Sequence, residues 1–516
     1  MKRTMKQLLT WMLLALLVLP LVACAASGTE DYLGGDPGGN YYPNEEFENA
    51  VDGMSPGEPD GEHEFAENPF INTDEQNVST LSADVDTASY TYFRKLVNAG
   101  YAWSELKQTP KAFRTEEFLN YFRYDAPTPE ASKLFALRSM AFPCPWNSQN
   151  VLLSMTLQAK TATPAMGQNL VFLIDVSGSM SSSDKLPLLQ NTFSHLVDHL
   201  SANDVISIVT YSGSERVVLD GCKGNKKETI LNAIRSLSAS GSTNGEAGLQ
   251  KAYQLAEKYR IEGGNNRIIL ASDGDLNVGI SSVSELETYI AQKRDTGIFL
   301  SVLGFGTGNY RDSKMETIAD CGNGVYLYVD GESEAEKIFS TDLFSNLYTI
   351  AKDVKMQVSF NPQTVTSYRL IGYENRILNE EDFTDDTKDA GEVGAGHQVT
   401  FCYELTLAEG AFAEAANWLE LAVNYKHPDQ STSVLPNVHF IGSDCYNASP
   451  NEDAVFMSAL IETCMLLRNS QYLTEDITGT SIANKLALLD LSAHPERAEF
   501  LQLLQALNQK EETKHQ

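Results

Sequence analysis

"NLVFLIDVSGSM", residues 169–180, gathers five apolar residues, Leu170 to Ile174, and ends them on Asp175, Ser177 and Ser179. A short, unbroken apolar run reads as a strand buried on both faces. An acid followed by hydroxyls cannot continue such a strand, so these residues mark its carboxyl end. In an open parallel sheet, ligands collect in the crevice at that end. Asp175, Ser177 and Ser179 there direct three oxygens into one small volume.

Outward from this stretch, short apolar runs alternate with helical patterns. Strands are predicted at 169–174, 204–211, 267–271, 297–304 and 324–329, and helices near 185–200, 226–238, 245–260, 283–295 and 332–350. Strands alternating with helices imply an α/β, Rossmann-like domain, a mostly parallel sheet with helices on both faces. Further out the period falls to two. "FALRSMAF" (135–142) and "VLLSMTLQAK" (151–160) read as antiparallel strands, and Val354, Met356, Val358 and Phe360 alternate, as do Val399, Phe401, Tyr403 and Leu405. Like strands on both sides of the α/β block predict that 130–160 pairs with parts of 353–440. The block is then inserted in, or flanked by, a β-rich domain. Helices at 452–468 and 495–508 close the chain. The domains expected are 79–165 as an N-terminal segment contributing strands to the β domain, 166–352 as the α/β domain, and 353–516 as a β-rich domain ending in helices.

Two distant loops supply further oxygens at strand ends. "SASGSTNGEAGLQKAY" (238–253) carries Thr243 before a helix, and "RIILASDGDLNVG" (267–279) carries Asp273 after an apolar strand. Hard divalent cations take oxygen ligands, and Mg²⁺ asks for near-octahedral geometry at about 2.0–2.1 Å while keeping some waters. Mg²⁺, or Mn²⁺ or Ca²⁺ in its place, suits this set. The plainer alternative is that Asp175 and the serines cap the next helix or build a turn. That accounts for one loop but not three.

"DVSGSM", Thr243 and Asp273 together resemble the metal-ion-dependent adhesion site of the von Willebrand factor type A domain. The resemblance implies that Ser177 and Ser179 bind metal through hydroxyls and that Thr243 binds directly or through water. Asp175 and Asp273 mostly hold coordinated water. It further implies an open coordination position filled by an acidic side chain of a partner protein. "DVDTASYTYFRK" (84–95) and "LIGYENRILNEEDFTDDTKDAGEVGAGHQVTFCYEL" (370–405) resemble the YfbK-like bacterial lipoproteins, a likeness covering most of 79–510.

Catalysis is the weaker expectation. An aspartyl phosphotransferase would use Asp175 as nucleophile, but Ser177 cannot serve as its general acid near neutral pH, and no Lys or Arg cluster near these loops would neutralise a phosphoryl group. The chain is read as no enzyme, with a metal-dependent hydrolase as the remote alternative. An envelope assembly factor that binds through its β-rich domain is the nearer one. "GFGTGN" (304–309) has Asn309 where a dinucleotide fingerprint needs its third glycine. "HLVDH" puts His195 and His199 on the solvated face of a helix. "DGDLNVG" and "DVDTASY" lack the glycine and acid of a calcium-binding EF loop.

The N-terminus is an address. Lys2, Arg3 and Lys6, the run "LLTWMLLALLVLPLV" and the boundary "LVAC" read as a signal peptide over 1–23. The cysteine after that boundary resembles the lipobox of bacterial lipoproteins, which implies cleavage before Cys24 and diacylglycerol, with palmitate, on its sulfur. The mature protein is expected outside the cytoplasm, held to the cell membrane or envelope by lipid. From 24 to 78 the chain is rich in Gly, Pro, Asn and acids, with fourteen acidic residues and no Lys or Arg over 25–75. It reads as a disordered acidic tether. Loss of Lys2, Arg3 and Lys6 takes the net charge from −31 to −34, which disfavours nucleic acid and favours cations. Cys144, Cys222, Cys321, Cys402, Cys445 and Cys464 show no CxxC spacing and read mostly as small buried hydrophobes.

Overall fold

The computed structural model describes residues 66–163, 166–242, 245–274, 283–306 and 312–514. The signal peptide, Cys24, most of the expected tether and Thr243 lie outside them.

The stretch Gln168–Asp175 forms a fully buried strand near the middle of a six-stranded sheet. The order across this sheet is Tyr326–Val329, Phe299–Phe305, Asn265–Ser272, Gln168–Asp175, Val205–Tyr211 and Glu215–Lys223. All neighbours are parallel except the last pair, which is antiparallel. From Gln168–Asp175 the chain builds first to one side, then crosses back to lay Asn265–Ser272 on the other. The strand order reverses there, so the crevice between the carboxyl ends of these two strands is the sheet's ligand-binding position. Leu186–His199 puts Leu189, Phe193 and Leu196 on one sheet face, and Glu246–Lys258 puts Leu249, Ala252 and Ala256 on the other.

Two antiparallel sheets pack face to face beside this body. One runs Ile71–Asn72, Val365–Ile371, Gln398–Leu407, Val151–Ala159, Phe135–Pro143. The other runs Ile377–Leu378, Val78–Ser82, Thr349–Phe360, Asn417–Lys426, Asn437–Gly442, with Val393–Gly394 also paired to Thr349–Phe360. Phe360 stacks on Tyr368 at 4.0 Å and meets Tyr403 edge-on at 5.3 Å across the interface, the offset and edge geometries that aromatic quadrupoles favour. Val151–Ala159 pairs directly with Gln398–Leu407, so chain from either side of the α/β body shares one sheet.

Several expectations need correction. Residues 66–78 are built into the sandwich rather than belonging to the tether. Ile71 pairs with Tyr368, the Asn68 amide donates to the carbonyls of Leu370 and Gly372, and the Arg369 guanidinium stacks over Phe70. Backbone pairing orders a segment whose composition alone would not. The helix at 332–350 is broken into Glu332–Glu336, a π-turn at Lys337–Thr341 and Leu343–Leu347, and Thr349 already opens a strand. Glu215–Lys223, Asp312–Cys321 and Gly479–Leu486 were not anticipated; the first is a half-exposed edge strand with no clean alternation.

Helices Ala88–Asn98, Thr115–Tyr121, Glu452–Leu467 and Pro495–Lys514 share an aromatic core of Tyr90, Phe93, Phe118, Phe122, Phe456 and Phe500. "DVDTASY" is structural. Asp86 accepts the Tyr326 amide at 2.8 Å, capping the edge strand of the central sheet. Among the described residues no helix is long and apolar enough to cross a membrane. All six described cysteines are unpaired, with Cys144, Cys402 and Cys464 fully buried. Burial pushes the Cys402 thiol up to about 12, which keeps it protonated and unreactive.

Candidate functional site

Asp175 is the last residue of its strand, fully buried and in register with Tyr211 on the neighbouring strand. Beyond it the chain is zipped between two other segments. Val176 donates to the Tyr211 carbonyl, Ser240 donates to the Val176 carbonyl at 2.7 Å, and Gly178 donates to the Gly241 carbonyl at 3.0 Å. The Gly/Ser loop that leads into Thr243 therefore lies against the Ser177–Ser179 loop. Thr243 itself is outside the described residues. Asp175 Oδ1 accepts the Ser177 amide at 2.8 Å, which turns the chain so that the Ser177 and Ser179 hydroxyls stand 3.0 Å apart. Ser177 is buried and Ser179 is exposed, so the hydroxyl pair runs from the interior to the lip.

Asp273 follows the strand on the other side, where Ala271 is in register with Ile174, and is 2% exposed. The two carboxylates thus sit on adjacent strand ends at the point where strand order reverses. Beneath them lies the buried hydroxyl of Tyr211, pushed well above its ordinary pKa by burial, then by the charges of Asp175 and Asp273. It stays a neutral phenol. Gly248 makes room for this arrangement, since a Cβ there would stand 2.9 Å from Tyr211 Cβ.

Lys185 is the site residue that sequence reasoning missed. Its ammonium donates to Asp273 Oδ2 at 2.9 Å and to the Ser179 carbonyl at 3.0 Å. The sequence shows no basic cluster near these loops, and the structure brings one lysine from the helix boundary six residues past Ser179. A single lysine in an ordinary helix-start sequence carries no signal; only the return of the loop onto the Asp273 strand end does. The preceding Asp184 is fixed by Ser182 and by Lys95 of the N-terminal helix at 3.1 Å. Burial raises its carboxyl, but these two partners outweigh it and hold the group below its usual range.

The donor set fits a hard cation. Asp175, Ser177, Ser179 and Asp273 offer oxygen only, two carboxylates with two hydroxyls, and an ammonium already rests on one of them as a resident positive charge. Among the described residues no group of three or more His, Cys, Asp or Glu converges as a metal site. His195 and His199 lie on the outer side of Leu186–His199, half-buried and exposed, away from this crevice.

Comparison with known proteins agrees with this topology. The family profile of the von Willebrand factor type A domain matches residues 169–341, and a von Willebrand factor profile matches 60–154. A profile described as "Uncharacterized protein YfbK, C-terminal" matches 345–509. The chain is 40% identical over 469 residues to the Escherichia coli (strain K12) protein "Uncharacterized protein YfbK", spanning 86% of this chain and 80% of that one. Human inter-alpha-trypsin inhibitor heavy chain H3 is 23% identical over 266 residues, spanning 49% of this chain and 30% of that one. Among solved structures, a von Willebrand factor type A protein from Catenulispora acidiphila aligns at 15% identity and a TM-score of 0.41, over 66% of this chain and 80% of that chain. The chain belongs to the YfbK family and carries a von Willebrand factor type A domain.

Proposed function

We propose that this protein is a lipid-anchored binding module of the bacterial cell envelope. It engages a carboxylate of a partner protein through a divalent cation of the Mg²⁺ type, held by Asp175, Ser177, Ser179, Thr243 and Asp273. The observation that carries this reading is the convergence of two buried carboxylates and two hydroxyls at the reversal point of the central sheet. Domains of this type generally mediate protein–protein contacts and are often metal-dependent. The bound ion would supply a Lewis-acidic position with room for one ligand from outside. The protein's own residues position it: Ser177 is fixed by Asp175, and Ser179 opens to solvent. The lipobox at Cys24 supports the anchor.

In the test, the full chain and Asp175→Ala are used to capture partners from envelope extract in Mg²⁺ and in EDTA, with thermal unfolding read alongside. The expected result is capture in Mg²⁺ alone, lost in the variant, and an upward Tm shift with Mg²⁺ in wild type only. Identical behaviour of wild type and variant under both conditions would sink the metal role. Equal acyl labelling of wild type and Cys24→Ala would sink the anchor.

The reading in which the β-rich body does the binding is favoured by the outer edge strand Asn437–Gly442. It exposes Val438 and Phe440, beside an exposed Leu435. Capture that survives both EDTA and Asp175→Ala, but is lost with Phe440→Ser, would decide for it.

A further inference from the structure

Lys185 occupies a position that its own helix disfavours. It is the residue immediately before Leu186–His199, with φ −122° and ψ −109°, and it provides no side-chain cap. The positive end of the helix dipole lies there, and a cation at that end is unfavourable. The ammonium instead reaches back across the loop, where Asp273 Oδ2 at 2.9 Å and the Ser179 carbonyl at 3.0 Å compensate it. Its stem is guided by Gly306 at the end of a neighbouring strand. Gly306 has φ +73°, and a Cβ there would fall 2.2 Å from Lys185 Cε. The Lys185 side chain is 13% exposed and the Asp273 side chain is fully buried, so the pair is shielded while its outer end remains near solvent.

We propose that Lys185 is the built-in counter-ion of this site and that a divalent cation binds by displacing it. This rests on the metal reading above. Asp273 faces both the ammonium and the position of a divalent ion, and two cations within one crevice repel. Without the ion, Lys185 sets a positive charge on the buried Asp273 carboxylate. With the ion, the ammonium swings outward past Gly306 to the lip beside Ser179. Lys185 therefore sets the concentration of divalent cation at which the site fills.

The test is a Mg²⁺ titration by calorimetry on the full chain, wild type against Lys185→Met, with amine acylation of wild type mapped by mass spectrometry with and without Mg²⁺. Lys185→Met is expected to bind Mg²⁺ about ten- to hundredfold tighter, the change expected when one charge-assisted hydrogen bond stops competing. Acylation of Lys185 in wild type is expected to rise several-fold on adding Mg²⁺, while the exposed Lys258 keeps its reactivity. Mg²⁺ binding by the variant alone also supports the proposal. If wild type binds Mg²⁺ and a folded Lys185→Met binds it no tighter, the counter-ion role is wrong and the metal site stands. If neither binds, both readings fall together. Should the variant not fold, the wild-type footprint decides, and a Lys185 reactivity indifferent to Mg²⁺ overturns the proposal.

Discussion

The crevice holding Lys185 and the knot holding Arg94 each set one basic side chain on buried acids, and they do so in opposite ways. Arg94 is bidentate on Asp330 at 2.6 Å for both bonds, reaches Glu334 at 2.7 Å and Tyr121 at 2.8 Å, and touches Glu499 at 3.2 Å. Burial works against its charge, but these partners outweigh it and hold the guanidinium protonated. Lys185 makes one carboxylate contact and one carbonyl contact at the edge of solvent. A planar fork spread over several partners cannot be exchanged stepwise, whereas a single ammonium on a flexible stem can. The first arrangement joins parts of the molecule permanently: Arg94 comes from the N-terminal helix, Asp330 and Glu334 follow the last strand of the central sheet, and Glu499 sits on the C-terminal helix. The second is suited to replacement.

Removing Arg94 is the strongest challenge to this contrast. Arg94→Met leaves Asp330 and Glu334 buried without the guanidinium, Glu334 still accepting from the Tyr121 hydroxyl, and is expected to cost about 3–5 kcal/mol, read from urea unfolding. A loss no larger than that of Lys185→Met in EDTA would break the distinction. A smaller effect, with a definite pH signature, is expected at Glu116. Its Oε2 accepts the Tyr373 amide at 2.9 Å, while Oε1 is buried without a hydrogen-bond partner among the described residues. Burial, followed by the charges of Glu374 and Asp84, pushes its carboxyl up from 4.5 to about 7. The folded state then holds the proton more tightly than the unfolded state does. Its stabilising contribution is complete below about pH 4.5 and is lost as pH rises through about 7. Glu116→Gln should therefore gain on wild type by about 1–3 kcal/mol between pH 4 and pH 8. A pH-independent difference would show that the group does not titrate there. The smallest effect belongs to Lys258, whose pair with Asp220 is 2.9 Å long but half-exposed on both sides. Lys258→Ala is expected to leave the urea midpoint unchanged within error, which would confirm that burial, and not the contact itself, separates the three cases.

The same distinction explains what could be read in advance. Strand ends and their polar residues were legible because Leu170–Ile174 and Ile268–Ala271 are apolar throughout and stop on Asp175 and on Ser272–Asp273. Period and composition report that directly. Asp175, Ser177, Ser179 and Asp273 were placed correctly at the carboxyl edge for this reason, though their role as ligands rests on the proposal. Lys185 was not legible, because its partner lies 88 residues away and the contact depends on a loop turning back. The antiparallel edge strand Glu215–Lys223 was missed because one face meets solvent and the other is only half covered, leaving no clean alternation. The order in 66–78 was missed because its backbone bonds go to residues near 360–372, which no local window contains.

Every strand of the central sheet lies within residues 168–329, so the sheet is complete once Val329 has emerged. Val78–Ser82 must wait for Thr349–Phe360, and Asn68 waits for Leu370, 302 residues later. Closing so long a loop is slow compared with local assembly. As the chain is made, the α/β body is thus able to fold as a finished unit while its β-rich surround is still two separated halves. The apolar faces of Val151–Ala159 and Val78–Ser82 stay uncovered for that interval. A mutation that delays the sandwich would show itself first as aggregation or proteolysis of the newly made chain, with the central sheet already native.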